Sequence, residues 1–250
     1  MTFRSETAYD QESTDESSIT EVESSREETA TGHFATSEIV TVYVGKKRRA
    51  YRVHRALLVS KCPYFRGSLT GAFPEGRNNE VYLSKDVPEA FSWFLTWLYS
   101  GVVNVIETKQ DACIAFETYL MADRFITVEL KNDLMDAVRR FYARTRMGVE
   151  LLEVLAKHEG FEGKLKSFGL DQLAYDLHEY CGKIDLDPYM PSSPVRSAIN
   201  AFLAEGSSTA IDTFWAVRNW AFRDGVDPSI LEGCYYHEHS SGSPACKFCS

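Results

Sequence analysis

Glu38-Ile39-Val40-Thr41-Val42-Tyr43-Val44-Gly45-Lys46-Lys47-Arg48-Arg49-Ala50-Tyr51-Arg52-Val53-His54-Arg55 opens the stretch, running on to Gly101, that decides the fold. Ile39 to Val44 is a β-branched run that favours a strand, Gly45 with four consecutive cations makes a tight turn, and Ala50 to Val53 returns as a second strand. A helix is expected to begin at His54. Further on, Glu80-Val81-Tyr82-Leu83 reads as a third strand. Asp86 and Glu89 have the spacing of a capping box, with Pro88 in a first turn that tolerates it. Phe91, Phe94, Leu95 and Leu98 then recur at helical spacing as one inward stripe, and Gly101 stands where a left-handed cap is needed.

The run His54-Arg55-Ala56-Leu57-Leu58-Val59-Ser60-Lys61-Cys62-Pro63-Tyr64-Phe65 resembles the BTB/POZ family's His-Arg pair, apolar helix and Ser-Pro-x-Phe, with Cys62 in place of the usual Ser. The resemblance continues in order through Gly71-Ala72-Phe73-Pro74-Glu75, the third strand, Asp86-Val87-Pro88-Glu89-Ala90-Phe91 and Leu98-Tyr99-Ser100-Gly101. Several separated matches in register are far more specific than one short motif. The resemblance implies an α+β fold, a small three-stranded sheet surrounded by helices, over residues 37–146 with its core motif at 38–106. It also implies a charged pocket built from Glu38 and Arg55, in which Glu38 stands where Asp is usual. Phe73-Pro74-Glu75 fits the apolar-x-Glu motif of cullin-binding members, in which an exposed aromatic fills a partner's groove and a carboxylate orients the pair. The alternative for these two residues is that Phe73 caps the domain's own core and Glu75 is solvated.

Charge along the chain narrows the function classes. Of the net charge of −9, residues 1–30 carry −7: nine acids (Glu6, Asp10, Glu12, Asp15, Glu16, Glu21, Glu23, Glu27, Glu28) against Arg4 and Arg26. The remaining −2 leaves no broad basic field of the kind that binds a phosphate backbone, so nucleic acid is not an expected partner. The basic quartet Lys46 to Arg49 is read as a hairpin tip kept soluble by charge, with an import signal or a nucleic-acid patch as alternatives. The apolar run from Phe91 to Tyr99 is too short and interrupted to cross a bilayer. The opening residues lack the pattern of a secretory signal or a transit peptide, which predicts an intracellular protein, cytoplasmic or nuclear.

Residues 1–36 are rich in Ser, Thr, Glu and Asp and poor in large apolar side chains, so the expectation is a disordered acidic tail. Ser13, Ser18, Ser24 and Ser25 each precede an acid by three positions, a pattern for acid-directed kinases. After the third strand and its helix, Ala112, Ala115, Phe116 and Tyr119 share one helical face, and Leu130, Leu134, Val138 and Phe141 share another. Helical periodicity persists over residues 147–232, at Leu151, Val154 and Leu155, at Leu170, Leu173 and Leu177, and from Thr209 to Phe222. A Pro-rich break at Asp187 to Pro194 divides this region, with Ser193 a candidate cap.

Residues 233–250 carry the remaining chemistry. Cys234, His237, His239, Cys246 and Cys249 place three thiols and two imidazoles close together, and four of the five suit a tetrahedral structural zinc. The stretch is similar to the Cys/His-bearing tail of filamentous-fungal BTB proteins, and its alternative reading is a reduced, disordered tail. The other cysteines, Cys62, Cys113 and Cys181, lie in apolar helical stretches and read as small core residues. His54, at a helix start, reads as a packed, hydrogen-bonded histidine. With no Ser-His-acid, Cys-His or glycine-rich phosphate pattern in a convincing context, the expectation is a non-catalytic interaction module. Its sharper form is a substrate adaptor for a cullin-RING ubiquitin ligase, with a cullin and a ubiquitination substrate as partners. The rival is a homo-oligomeric scaffold, a homodimer for example, or a transcriptional co-regulator, with a structural zinc site at the C-terminus.

Overall fold

The structure is a computed structural model and describes residues 37–71, 73–147, 154, 157–158, 161–179, 200, 204, 208–220 and 225–239. The expected acidic tail, the Pro-rich break, Cys181, Cys246 and Cys249 lie outside the described residues.

β1 (Ile39–Val44) is central in a three-stranded sheet. It pairs antiparallel with β2 (Arg49–His54), with Val40 opposite Val53, and parallel with β3 (Glu80–Leu83), with Val42 opposite Val81. Because side chains alternate along a strand, this register sends Val40, Val42, Val44, Val53, Val81 and Leu83 to one face, and all six are buried. Gly45 turns the hairpin at φ +75, where a side chain would be strained.

The helices close over that face. α1 (Arg55–Lys61) and α2 (Pro63–Thr70) follow β2 directly, and α3 (Pro74–Asn78) leads into β3. α4 (Pro88–Ser100), α5 (Lys109–Arg124) and α6 (Val128–Tyr142) complete the first unit. Phe65, Phe91, Phe94 and Phe125 form a buried aromatic cluster whose ring centroids lie 5.0–6.2 Å apart. In α4, Phe91, Phe94 and Leu98 face the core while Leu95 is half-buried, and Gly101 caps the helix at φ +71. The capping box at Asp86 and Glu89 does not form. Val87 is the N-cap and makes no side-chain bond, while the Asp86 carboxylate is taken by Arg124 from α5. The capping box that does form is on α5, where Thr108 and Asp111 bond each other's backbone N–H.

α7 (Lys164–Glu179) and α8 (Ser208–Trp220) pack against each other, and a short 3₁₀ turn at Pro228–Ile230 touches both α6 and α7. Val154 is helical and buried; Leu151 and Leu155 lie outside the described residues. The result is the α+β architecture expected, three strands with eight helices among the described residues. None of these helices is long and apolar enough to cross a membrane.

Candidate functional site

Phe73 and Glu75 sit on the short helix α3, whose position is fixed by backbone. Phe73 is the N-cap in extended conformation, Pro74 occupies the first turn, and Glu75 is half-buried beside it. Gly76 lets α3 lie against α2: a Cβ there would meet the Leu69 carbonyl oxygen at 2.5 Å, closer than atoms can sit. A Cβ on Gly71 would meet the Phe73 ring at 2.9 Å, so glycine at 71 leaves that ring its place. Phe73 is 59% exposed, so it does not cap the domain's own core. It is a large aromatic presented to solvent on a braced turn.

The sequence-predicted charged pair forms on the neighbouring surface. Arg55 donates from Nη1 to Glu38 Oε2 at 3.1 Å and from Nη2 to the Leu69 carbonyl at 2.6 Å. Ser37 Oγ accepts from the Ala56 N–H at 3.1 Å and thereby caps α1, which His54 does not cap with its side chain. Ser37, Glu38, Arg55, Ala56, Val59 and Thr70 line a shallow cavity of about 240 Å³. Glu38 is largely solvated, so the longer carboxylate reaches Arg55 from the rim instead of from a buried position.

The Cys/His segment is divided between structural work and residues outside the description. Residues 231–239 form a strap across α6. Asn132 on α6 pairs with the Glu238 backbone in both directions, accepting from its N–H and donating to its carbonyl, each at 2.9 Å. The Glu238 carboxylate accepts from Tyr119 Oη at 3.0 Å and from Lys131, a lysine with only 6% of its side chain exposed. His237 is buried, with Nε2 2.8 Å from Asp136 Oδ1. Tyr236 is buried edge-to-face on Phe168 of α7 and donates to Asp171 at 3.0 Å, while Arg139 donates to the Leu231 carbonyl. Cys234 is half-buried at the start of the tight turn that His237 closes, and His239 is exposed. Among the described residues no three His, Cys, Asp or Glu groups converge as a metal site would require. Cys246 and Cys249 lie outside them. The strap residues that matter most, Tyr236 and Glu238, carry no metal-ligand signal and were not candidates.

Other titratable groups are built into the packing. Burial pushes the Cys62 thiol up to about 11, so at neutral pH it is a protonated core residue whose Sγ faces the Phe125 carbonyl. His54 shares a hydrogen bond of 2.8 Å with Tyr99 Oη. Burial, and then the adjacent Glu238 carboxylate, push the Tyr119 phenol well above its ordinary range, which keeps it a donor. Burial raises Asp176 on α7 to about 6, although it accepts the Met147 N–H at 2.7 Å. An open cleft of about 360 Å³ between α7, α8 and the strap, walled by Leu170, Trp215 and Tyr235, also holds the Lys166 ammonium between Glu162 and Asp212.

Comparison with known proteins gives the class of this sheet-and-helix domain. Residues 35–133 match the BTB/POZ domain, and the chain is a BTB/POZ domain-containing protein. Human BTB/POZ domain-containing protein 9 is 33% identical over 78 residues, 31% of this chain and 12% of that protein. Mouse TD and POZ domain-containing protein 1 is 25% identical over 145 residues, 58% of this chain and 38% of that protein. Human Kelch-like protein 11 is 27% identical over 101 residues, 38% of this chain and 14% of that protein. The chain thus spans a minor part of the length of these relatives. BTB/POZ domains serve protein–protein interaction, and residues 35–133 match a domain of that kind.

Proposed function

We propose that this chain is a substrate adaptor for a cullin-RING ubiquitin ligase, with Phe73 and Glu75 toward the cullin and residues 147–232 toward a ubiquitination substrate. The observation that carries the reading is the 59% exposure of Phe73 on a turn held by Gly76 and Pro74. A large ring left in water at a rigid position loses little entropy when a partner covers it, which is how a few residues come to dominate an interface. Glu75, one residue beyond Pro74 and half-buried, supplies a charge that orients the partner.

The test is titration calorimetry of the intact chain against purified cullin. Replacing Phe73 and Glu75 together by Ala is expected to weaken binding at least about tenfold, the scale of an interface hot spot. Unchanged affinity in the double variant removes the reading. A structural zinc on four of Cys234, His237, His239, Cys246 and Cys249 belongs to the same proposal, as a brace for the end of the strap. Metal analysis of the purified chain returning no zinc removes that part alone.

A further inference from the structure

The outer face of the sheet has no function in the account so far. The register that buries the valines turns Thr41 and Tyr43 of β1, Ala50 and Arg52 of β2, and Glu80 and Tyr82 of β3 to the opposite side. There Tyr43 and Tyr82 stack at 4.9 Å, and Arg48 lies over the Tyr82 ring at 5.6 Å. Glu80, the one acid on this face, is occupied by both tyrosine hydroxyls, at 3.4 and 3.0 Å. Around this centre Lys46, Lys47, Arg48, Arg52 and Lys85 are all exposed, whereas Arg49, opposite Val44, turns to the other side of the sheet and lies over the Tyr51 ring. None of these five cations makes an ion pair among the described residues, while Arg49 on that other side lies 3.8 Å from Glu89. The hairpin tip is held in shape by the Arg48 N–H, which donates to the Gly45 carbonyl at 3.0 Å, with Arg48 itself at φ +52.

We propose that this face is the docking site for the chain's own acidic segment, residues 10–28. Charge is the first argument. The segment carries eight acids, Asp10 to Glu28, against Arg26, and the rest of the chain after residue 30 is nearly neutral. The five cations form a concentrated positive area against which that excess is complementary. Reach is the second argument. The segment joins the sheet at Ser37, beside the start of β1, whereas the cations crowd the far end of the same strand, about 20 Å away at roughly 3.3 Å per residue. The acids from Glu12 to Glu28 lie roughly 10 to 25 residues upstream, and a chain of that length spans about 15–30 Å in root-mean-square terms. The tether therefore places the acids at the cations with an effective concentration on the order of millimolar, which few free acidic partners match. Ile19 and Val22, within the segment, supply apolar contacts for the Tyr43–Tyr82 pair. This proposal does not depend on the cullin reading.

Zero-length carbodiimide cross-linking of the full chain, read by mass spectrometry, tests it. At about 50 mM salt, Lys46, Lys47 and Lys85 are expected to join to acids of residues 10–28 at least about tenfold more than Lys61 or Lys109 do, and about 500 mM salt should remove the preference. An Arg48→Glu, Arg52→Glu variant keeps the three lysines as reporters and should lose it as well, with its circular dichroism unchanged. Equal yields at all lysines overturn the proposal. So do cross-links found only between isotopically distinct copies, which assign the face to a second chain. Retention of a labelled duplex oligonucleotide by the intact chain at the same low salt also overturns it, since the face would then be open to nucleic acid.

Discussion

The turn at Phe73 and the strapped side of α6 belong to one chain but are built on opposite terms. The turn is positioned through Gly76, Pro74 and the Leu69 carbonyl, which Arg55 holds, and leaves its aromatic in water. The strapped side surrounds its aromatic, Tyr236, with Phe168, Asp171 and Arg139, and satisfies a buried lysine with Glu238. A surface meant for an outside partner has to hold its shape without that partner. A surface already covered from within can rely on side chains that would be costly to leave alone.

The largest expected effect breaks the strapped side. Tyr236→Ala removes a buried ring and its hydrogen bond, and should cost about 3–5 kcal/mol. Urea unfolding should then show α7 and the strap releasing before the BTB core, where the parent chain shows one transition. Next, Glu238→Ala leaves Lys131 with Asp123 as its remaining acid and Tyr119 without its acceptor, for an expected loss of about 2–3 kcal/mol. Gly76→Ala probes the other side: forcing α3 away from the Leu69 carbonyl should cost about 1–3 kcal/mol in thermal unfolding and weaken cullin binding without touching Phe73.

A smaller effect comes from Asp176. Its folded pKa of about 6 lies above its ordinary 3.8, so the folded chain binds more protons between those values. This group's contribution is fully present below about pH 4 and is lost as pH rises through 6. Asp176→Asn should therefore stabilise the chain by about 1 kcal/mol at pH 7, with little effect near pH 4, in denaturant titrations at both pH values. With its oxygen kept on the Met147 N–H, the new amide turns an NH2 toward Gln172, whose own amide must flip to present Oε1, an atom buried without a hydrogen-bond partner among the described residues. Smallest of all, Phe73→Ala should change stability by no more than about 0.5 kcal/mol, since its ring is exposed.

What could be read from the amino acids follows from the range of the interactions. The valines of β1 and the stripe Phe91, Phe94 and Leu98 repeat at two and at three to four residues, so burial leaves a local trace in composition. Asp86 shows where local reading fails: its spacing to Glu89 suits a cap, but Arg124 from a distant helix takes the carboxylate. The strap is further still from being legible. Tyr119 and Glu238 meet across 119 positions, and neither neighbourhood announces the other. His237 and Cys234 drew notice as metal ligands because their spacing has a known chemistry, whereas Tyr236 between them, which does the packing, has none. At the turn, the motif pointed to Phe73 and Glu75, but only coordinates show that Gly76 holds them there.

The central claim is that the Phe73 turn is the side of this chain that is open to a cullin and that the face of α6 beneath the strap is closed. Hydrogen–deuterium exchange on the intact chain, with and without saturating cullin, tests it most directly. The account predicts new protection over residues 71–79, with residues 231–239 and α6 already protected and unchanged. Protection appearing at the strap or along α7 and α8, with residues 71–79 unaffected, would contradict it.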